Sequence, residues 1–436
     1  MDGSGAEALW NDDHDHLHVT LLGYNADMLE RLIAAFSFRD YRILWVVLMM
    51  GSIAFWMRIL GTAQWLLEVT DSAYMVGLIG VVQLVVQLPM TLWAGTLADR
   101  VNRKWLLSLA HGVTGLTLVA LGLLNSTDQL TPVLVYVGIA ITSGTHMLAS
   151  PARGAMLATV VPEAKLMVAS STDTASANAA AIAGPLLFAG IVLIADLTWL
   201  FLIAGCLALI NAWLPRMLSI EGLAASNARV AKVRPSQVEE TRAGLKYVAS
   251  HPILPGLFLL DVGITSASFY REVLPVIALG LFAGGAGATG MLGAANSAGA
   301  ILGSVLALAL SDVRAKGLLV LYASVAYGFI LLGFGFATSL LAGMLIIALL
   351  GAADSVTVAV RQTTVLLTTP DEMRGRAYAL MVLAAQTANN VGTIWVGFWV
   401  GAIGASQTMV LGGLISIVAT LAIAYFWIPI RKYRSA

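Results

Sequence analysis

Long apolar stretches separated by short polar segments follow a polar opening of about forty residues. Each stretch is long enough to cross roughly 30 Å of hydrocarbon as an α-helix, which satisfies its own backbone hydrogen bonds in lipid. A β-barrel would instead show alternating segments of about ten residues. The pattern predicts an all-α polytopic membrane protein with 12 transmembrane helices, near 43–67, 74–98, 105–124, 132–158, 166–194, 197–214, 253–282, 288–310, 317–336, 340–367, 377–400 and 403–428.

Lysine and arginine divide the polar segments into two kinds. If both chain ends are cytoplasmic, the segments on that side and the tails hold all but two of the 24 Lys and Arg residues. The outer loops hold Asp71, Asp128 and Asp196 instead. Because cytoplasmic loops of membrane proteins are enriched in Lys and Arg, we expect both termini in the cytoplasm. No cleavable signal peptide is expected, since the chain does not open on an apolar segment.

Composition removes several classes of function. The chain is 59% hydrophobic and 11% charged, whereas a soluble protein carries roughly 25% charged residues. Basic and acidic residues balance at 24 each, which argues against nucleic-acid binding. No phosphate loop, zinc-ligand spacing or nucleophile elbow occurs, so neither an enzyme nor a cofactor or metal site is expected. Residues 12–18 alternate His and Asp and could hold a metal, but a solvated acidic tail is the favoured interpretation.

The longest polar interruption, 215–250, separates six apolar stretches from six. We therefore expect an N-terminal tail (1–38), a six-helix bundle (39–214), a cytoplasmic linker (215–250), a second six-helix bundle (251–428) and a short cytoplasmic tail (429–436). The linker from Pro235 to Ser250 is either a short amphipathic helix on the membrane surface or a plain connection. Residues 27–36 are a second candidate for an interfacial helix.

The two halves resemble each other in register. Similar or functionally comparable residues recur at a nearly constant spacing of a little over two hundred positions. In chain order the pairs are Arg58 and Arg271, Asp99 and Asp312, His146 and Asp354, Arg153 and Arg361, and Asn178 and Asn389. Parallel six-helix repeats predict two pseudo-symmetric bundles related by an axis along the membrane normal, with a substrate path between them.

The most specific local motif lies between the second and third stretches, where residues 95–104 read GTLADRVNRK. This segment resembles the signature loop of the major facilitator superfamily, G-x-L-a-D-R-x-G-R-K, with Asn102 in place of the second glycine. The resemblance implies a cytoplasmic latch that breaks and reforms during transport. On this basis the expected latch and gate residues are Gly95, Asp99, Arg100, Arg103, Lys104, Arg153, Asp312 and Arg361.

Three further segments, 62–72, 150–154 and 369–376, resemble the enterobactin-exporter and macrolide-efflux branch of this superfamily. That resemblance covers nearly the whole chain after residue 38. It implies a proton-driven exporter of a small organic molecule in a bacterial inner membrane. In the fifth stretch, Gly184-Pro185 is followed by Leu186 to Ala189, where antiporters of the superfamily tend to carry a further glycine pair.

Ionisable residues inside a membrane are costly, so each is a functional candidate. Substrate binding is expected from Arg58, His146, Arg271 and Asp354. The arginines suit an anionic group, and histidine is the side chain whose ordinary pKa lies nearest neutral pH. Proton coupling is expected from Asp261, Glu272 or Asp354. The alternative is that these charges pair with one another as structural or gating salt bridges.

The predicted function is a secondary active transporter that moves a small, anionic or amphipathic molecule by alternating access, with proton-coupled export favoured. Its expected partners are the substrate, protons and the lipid bilayer, and we expect a monomer. An importer of an anionic metabolite and a lysolipid flippase on the same fold are alternatives. A receptor or assembly factor without transport activity is a further one.

Overall fold

A computed structural model describes residues 34–219 and 237–435. The side chains of 92, 94–100 and 237–240 lie outside the described part, as do the His/Asp-rich tail and most of the expected interfacial helix at 27–36. The described residues are nearly all helical and contain no strand. The chain is thus an all-α protein, as its apolar periodicity predicts.

The N-terminal bundle consists of six helices joined by short turns. They are α1 (Arg39–Thr70), α2 (Ala73–Arg100), α3 (Arg103–Ser126), α4 (Pro132–Val160), α5 (Glu163–Ile194) and α6 (Leu197–Trp213). Polar caps fix where several of them begin. Asn102 accepts a hydrogen bond from the backbone N–H of Lys104 at 3.0 Å, and Thr131 and Asp196 cap α4 and α6 in the same way.

The second half repeats this arrangement after a helix in the linker, α7 (Gln237–Ser250). Its elements are α8 (Leu254–Ser268), α9 (Leu274–Phe282), α10 (Ala286–Ala309), α11 (Lys316–Gly335), α12 (Leu340–Thr368), α13 (Asp371–Ile403), α14 (Ala405–Phe426) and α15 (Ile428–Lys432). Here α8 and α9 together form the seventh span, because a single 3-10 turn, Arg271–Val273, joins them.

Eleven described segments are long and apolar enough to cross a membrane. They include the composite segment Leu254–Phe282. The one span of the fold that is not among these eleven is α13, the eleventh in chain order. It has 33 residues and carries four polar side chains near its middle, at Gln386, Thr387, Asn389 and Asn390. Those side chains lower its mean hydropathy without shortening the helix.

Small residues allow the closest helix contacts within each bundle. A Cβ atom at Gly299 or Gly303 of α10 would collide with the backbone of Ala348 or Ala352 of α12. In the N-terminal bundle, Gly115 of α3 similarly meets the backbone of α6. Apolar packing of this closeness replaces the hydrophobic effect as the force between helices in lipid.

Two helix pairs form the seam between the bundles: α2 packs on α13, and α5 packs on α10. Gly77 approaches Gly397 across the first pair, and Gly290 approaches Pro185 and Ala189 across the second. We call the end of the molecule where α1 begins and α2 terminates the basic end. The opposite end, with Asp71, Asp128 and Asp196 in its turns, is the acidic end.

Candidate functional site

A cavity of about 880 Å³ lies between the bundles, lined by residues of α2, α4, α8 and α10 to α13. On α4 and α12 the lining begins at His146 and Asp354, near mid-helix, and continues toward the basic end. On α13 it covers Met381 to Asn389, in the half of that helix nearer the basic end. The cavity therefore occupies the middle and the basic half of the molecule.

Five of the expected site residues line this cavity: His146, Asp261, Arg271, Asp354 and Arg361. They come from α4, from α8 and the turn that follows it, and from α12. The pseudo-symmetric pair His146 and Asp354 thus faces one space from opposite bundles. First-span residues, expected in the lining, are absent from it, because Phe55 stacks on the His146 ring at 4.6 Å between centroids.

Arg271 owes its position to the break in the seventh span. In a continuous helix Pro275 would have no N–H to donate to the Arg271 carbonyl, and its ring would clash with that carbonyl. Proline is tolerated in the first turn of a helix, so the helix stops at Ser268 and restarts at Leu274. The Arg271 guanidinium lies 5.7 Å from the Trp56 ring centroid and 5.6 Å from that of Phe269. Two aromatic faces thereby hold the cation beside the cavity.

A buried ion pair joins α8 to α12 at the cavity wall. Arg361 Nη1 lies 2.6 Å from Asp261 Oδ1, and both side chains are less than a tenth exposed. Thr265 donates to the same carboxylate oxygen at 3.2 Å. Asp354 stands two helical turns before Arg361 and is half-buried at the cavity surface. Two carboxylates and one arginine therefore share this part of the wall.

Arg58 and Glu272 do not line the large cavity. Arg58 is 4% exposed and lies behind Phe55, whose ring centroid is 5.2 Å from the guanidinium carbon. Glu272 is buried beside Gln83 of α2. No described carboxylate is within ion-pair distance of Arg58 or Arg271, whereas Asp261 is paired with Arg361 in this conformation.

The acidic half of the seam is closed by contacts between the bundles. Thr289 of α10 donates a hydrogen bond to Gln64 of α1 at 3.3 Å. A Cβ at Gly80 of α2 would collide with the carbonyl oxygen of Asn390 on α13, and Asn390 also donates to Gln87 at 3.0 Å. With the acidic half sealed and the cavity in the basic half, this conformation faces the basic end.

The expected latch and gate residues lie at the basic end. Gly95, Asp99 and Arg100 belong to α2, but their side chains lie outside the described part, and Arg103 begins α3. Lys104 donates to the main-chain carbonyl of Leu218, beyond α6.

Two further gate candidates differ in their surroundings. Arg153 Nη1 is 2.6 Å from Asp173 Oδ2 on α5, and Tyr41 of α1 donates to that carboxylate at 3.2 Å. Asp312 is exposed in the turn after α10.

Several polar residues of the cavity were not expected from the sequence. Tyr327 donates to the Ser268 hydroxyl at 3.3 Å, and the hydroxyl of Tyr270 accepts a hydrogen bond of 2.7 Å from Asn296, which stands outside the lining. Gln386 and Asn389 of α13 also line the cavity. A signal existed for α13, since two amides within four residues are unusual in a span that only packs against lipid.

The family model described as transmembrane secretion effector matches residues 32–435. The chain belongs to this family. It is a branch of the major facilitator superfamily, and its members are membrane transporters rather than enzymes. The family assignment agrees with the all-helical fold and with the twelve spans in two bundles.

Among curated relatives, the enterobactin exporter EntS of Citrobacter koseri is 25% identical over 348 residues, covering 78% of this chain and 80% of the relative. EntS of Shigella dysenteriae is 26% identical over 307 residues, covering 70% and 71%. Among solved structures, the nucleoside transporter NupG superposes with a TM-score of 0.69 at 14% identity, covering 91% of this chain and all of NupG.

A second solved neighbour is a bacterial homologue of the human lysosomal transporter Spinster, in an inward-facing and unoccupied conformation. Its TM-score is 0.68 at 13% identity, over 91% of this chain and 98% of the neighbour. A D-xylose–proton symporter gives 0.68 at 13% identity, over 90% and 98%. At such identities these structures establish the shared fold alone.

Proposed function

We propose that this transporter exports a small amphipathic molecule in exchange for protons, by alternating access. One observation carries the proposal. A cavity of about 880 Å³ at the bundle seam holds His146, Arg271 and Asp354, and it occupies the basic half while the acidic half is sealed. Since Lys and Arg mark the cytoplasmic side, this conformation would load substrate from the cytoplasm.

The cavity suits a molecule with aromatic or apolar parts and an anionic or acidic group. Its volume lies in the upper part of the roughly 300–1,000 Å³ range of small-molecule sites. Phe269, Met381 and Val382 supply apolar wall, and Arg271 supplies a guanidinium suited to a carboxylate or phenolate. The similarity to enterobactin exporters makes a siderophore the first substrate class to test.

Proton coupling is assigned to the carboxylates of the C-terminal bundle. Asp354 lines the cavity and is not in ion-pair contact with any described basic residue, whereas Asp261 is paired with Arg361. A proton that binds to Asp354 would remove a negative charge near the Asp261–Arg361 pair. Arg361 would then be attracted to Asp261 alone. Glu272, buried beside Gln83, is the remaining candidate from the sequence.

The motif at the basic end supplies the proposed latch. Asp99 and Arg100 end α2, and the backbone turns at once into α3 at Arg103. Arg153 and Arg361, which occupy equivalent places in the two bundles, are each tied to a carboxylate of their own bundle. In the proposed cycle the basic ends of the two bundles separate when the cavity faces the cytoplasm and meet when it faces outward.

Transport into everted membrane vesicles tests the proposal. An exporter accumulates a radiolabelled siderophore inside everted vesicles whose lumen is acidified, and it loses that uptake when a protonophore removes the gradient. Accumulation only in right-side-out vesicles would indicate an importer instead. Absence of counterflow with siderophores, macrolides and lysolipids, together with a stoichiometric protein partner, would indicate a receptor.

Cross-linking tests the alternation directly. Cysteines at Gln64 and Thr289, introduced after Cys206→Ser, sit on the two bundles at the sealed end. A short bifunctional thiol reagent should abolish transport while leaving substrate binding from the basic side intact. Transport that continues in the cross-linked protein would contradict alternating access.

A further inference from the structure

A second, much smaller cavity lies inside the N-terminal bundle, between α1, α3, α4 and α6. It has a volume of about 40 Å³, several times the roughly 10–15 Å³ that one water molecule needs. We call it the Arg58 pocket, after the one arginine among its described lining residues. Its polar walls are Arg58, His111, Thr114, Thr142, Thr145 and His146.

The charge in this pocket is incompletely compensated. Arg58 is 4% exposed, and its Nη1 atom has no hydrogen-bond partner. Glu272 interacts with Arg58 electrostatically but is not in ion-pair contact, and it interacts with Arg271 as well. Two arginines thus share one carboxylate, and a buried cation without a full partner is costly in a membrane.

The threonine hydroxyl protons are directed elsewhere. Thr142 donates to the carbonyl of Gly138 at 2.7 Å, and Thr145 donates to the carbonyl of Thr142 at 3.0 Å. Thr114 and Thr145 share a hydrogen bond of 2.7 Å, for which Thr114 must then supply the proton. The donors left to the pocket are therefore Arg58 and the N–H groups of the two imidazoles.

Among the residues that the structure describes, no aspartate or glutamate lines the pocket. A guanidinium and two imidazole N–H groups around a space without a carboxylate form an environment for an anion. The volume excludes the substrate of the large cavity, and it admits a single-atom anion.

We propose that the Arg58 pocket binds a small inorganic anion, chloride under physiological conditions. The bound chloride would accept a hydrogen bond from Arg58 Nη1 and balance the excess positive charge of Arg58, Arg271 and Glu272. Because His146 lines both cavities, the anion would also fix the orientation of that imidazole toward the substrate space. This inference does not depend on which molecule is exported.

The test uses the full-length protein in detergent, with chloride replaced by gluconate at constant ionic strength and pH. We expect the melting temperature to rise saturably with chloride, by about 2 °C at saturation. Crystals grown in bromide should show an anomalous peak beside Arg58 Nη1. A flat chloride titration, or density that fits water alone in the pocket, would overturn the proposal.

Two variants and a control locate the effect. Arg58→Gln removes the charge, and His111→Phe fills the space while keeping Arg58; each should abolish the chloride response, so the test survives if one variant fails to fold. Arg153→Gln is the control: it is the same arginine-to-glutamine substitution in the same bundle, at a residue that is paired with Asp173. This variant should retain the chloride response. An equal chloride effect in all four proteins would place the ion elsewhere and refute the assignment.

Discussion

At the scale of single residues, the C-terminal bundle concentrates charge around one short stretch of cavity wall. Asp261, Asp354 and Arg361 line the same cavity, yet only Asp261 and Arg361 are in ion-pair contact. In the proposed coupling scheme, Asp354 is the carboxylate that takes up the proton, because it lies outside that pair.

Asp354→Asn should uncouple transport from the pH gradient. The amide cannot exchange a proton, so exchange of substrate down its own gradient should continue while gradient-driven accumulation falls at least tenfold. Proteoliposome uptake with and without an imposed pH difference measures both. Asp128→Asn is the matched control, because Asp128 is exposed in a turn at the acidic end and asparagine tolerates its positive φ of 56°. Undiminished accumulation by Asp354→Asn would remove this residue from the coupling site.

Arg361→Gln should destabilise the protein by about 3 kcal/mol, because it leaves the Asp261 carboxylate buried without a partner. Adding Asp261→Asn to the same chain should restore most of the loss. Chemical denaturation of the purified protein in detergent measures the difference.

The matched comparison is Arg374→Gln. Arg374 forms a pair of similar length, 2.7 Å, with Asp371, but both side chains are largely exposed, so the loss should stay below about 1 kcal/mol. Equal effects at the two arginines would show that the Arg361 pair is as well hydrated as a surface pair.

Residue types were predictable from the sequence, whereas contacts were not. Rarity in apolar spans identified Arg58, His146, Arg271 and Asp354, because any charge there is costly. Which of them meet depends on helix rotation, and apolar windows of α1 and α8 carry little information about rotation when lipid and protein interiors are equally apolar. For this reason the sequence did not reveal that Arg58 lies behind Phe55 instead of facing the cavity.

At the scale of helices, the existence of nearly every span followed from its length and hydropathy. The break in the seventh span did not, although a proline inside an apolar stretch signals an interrupted helix, here at Pro275. Apolarity averages over a window and is insensitive to one interrupted turn. The break matters because the non-helical residues Phe269 and Tyr270 and the turn after them present Arg271 to the cavity.

The glycine contact between α2 and α13 should control the conformational equilibrium. A Cβ at Gly77 would lie 3.0 Å from the Cα of Gly397, so Gly77→Val disfavours the sealed acidic half by about 1–3 kcal/mol. That is a factor of five or more in population. Spin labels at Val69 and Phe336, exposed at the acidic ends of the two bundles, should show a larger fraction of long distances.

Gly333→Val serves as the control for this experiment, since nothing lies within 4 Å of a Cβ at Gly333. The two variants add the same side chain to a helix, and only one of them adds it at the seam. If both distance distributions matched that of the parent, the α2–α13 contact would not govern closure.

At the scale of the whole molecule, the charge distribution predicts orientation. The first span begins at Arg39 and the last described helix, α15, ends at Lys432, both at the basic end. In the proposed orientation a fluorescent protein fused after Ala436 should therefore fold in the cytoplasm and fluoresce. Alkaline phosphatase inserted at Asp128, in the turn at the acidic end, should be active, because the enzyme works in the periplasm and this turn is expected there. The opposite pattern of activities would reverse the assigned direction of transport.

The duplicated architecture was predictable from five recurrent residue pairs, but the unequal use of the two copies was not. Of the described residues in the N-terminal bundle, those that line the large cavity belong to α2 and α4, whereas α8 and α10 to α13 supply the rest of its wall. Repeats that remain similar in sequence can still differ in how far each rotates toward the seam.

This imbalance has an evolutionary consequence. A lineage that acquired a new cargo would need to alter mainly the C-terminal repeat, while the N-terminal repeat could keep the 95–104 segment of the proposed latch unchanged. Laboratory selection for a changed cargo should accordingly enrich substitutions between Asp261 and Asn389, with few arising before Ala208.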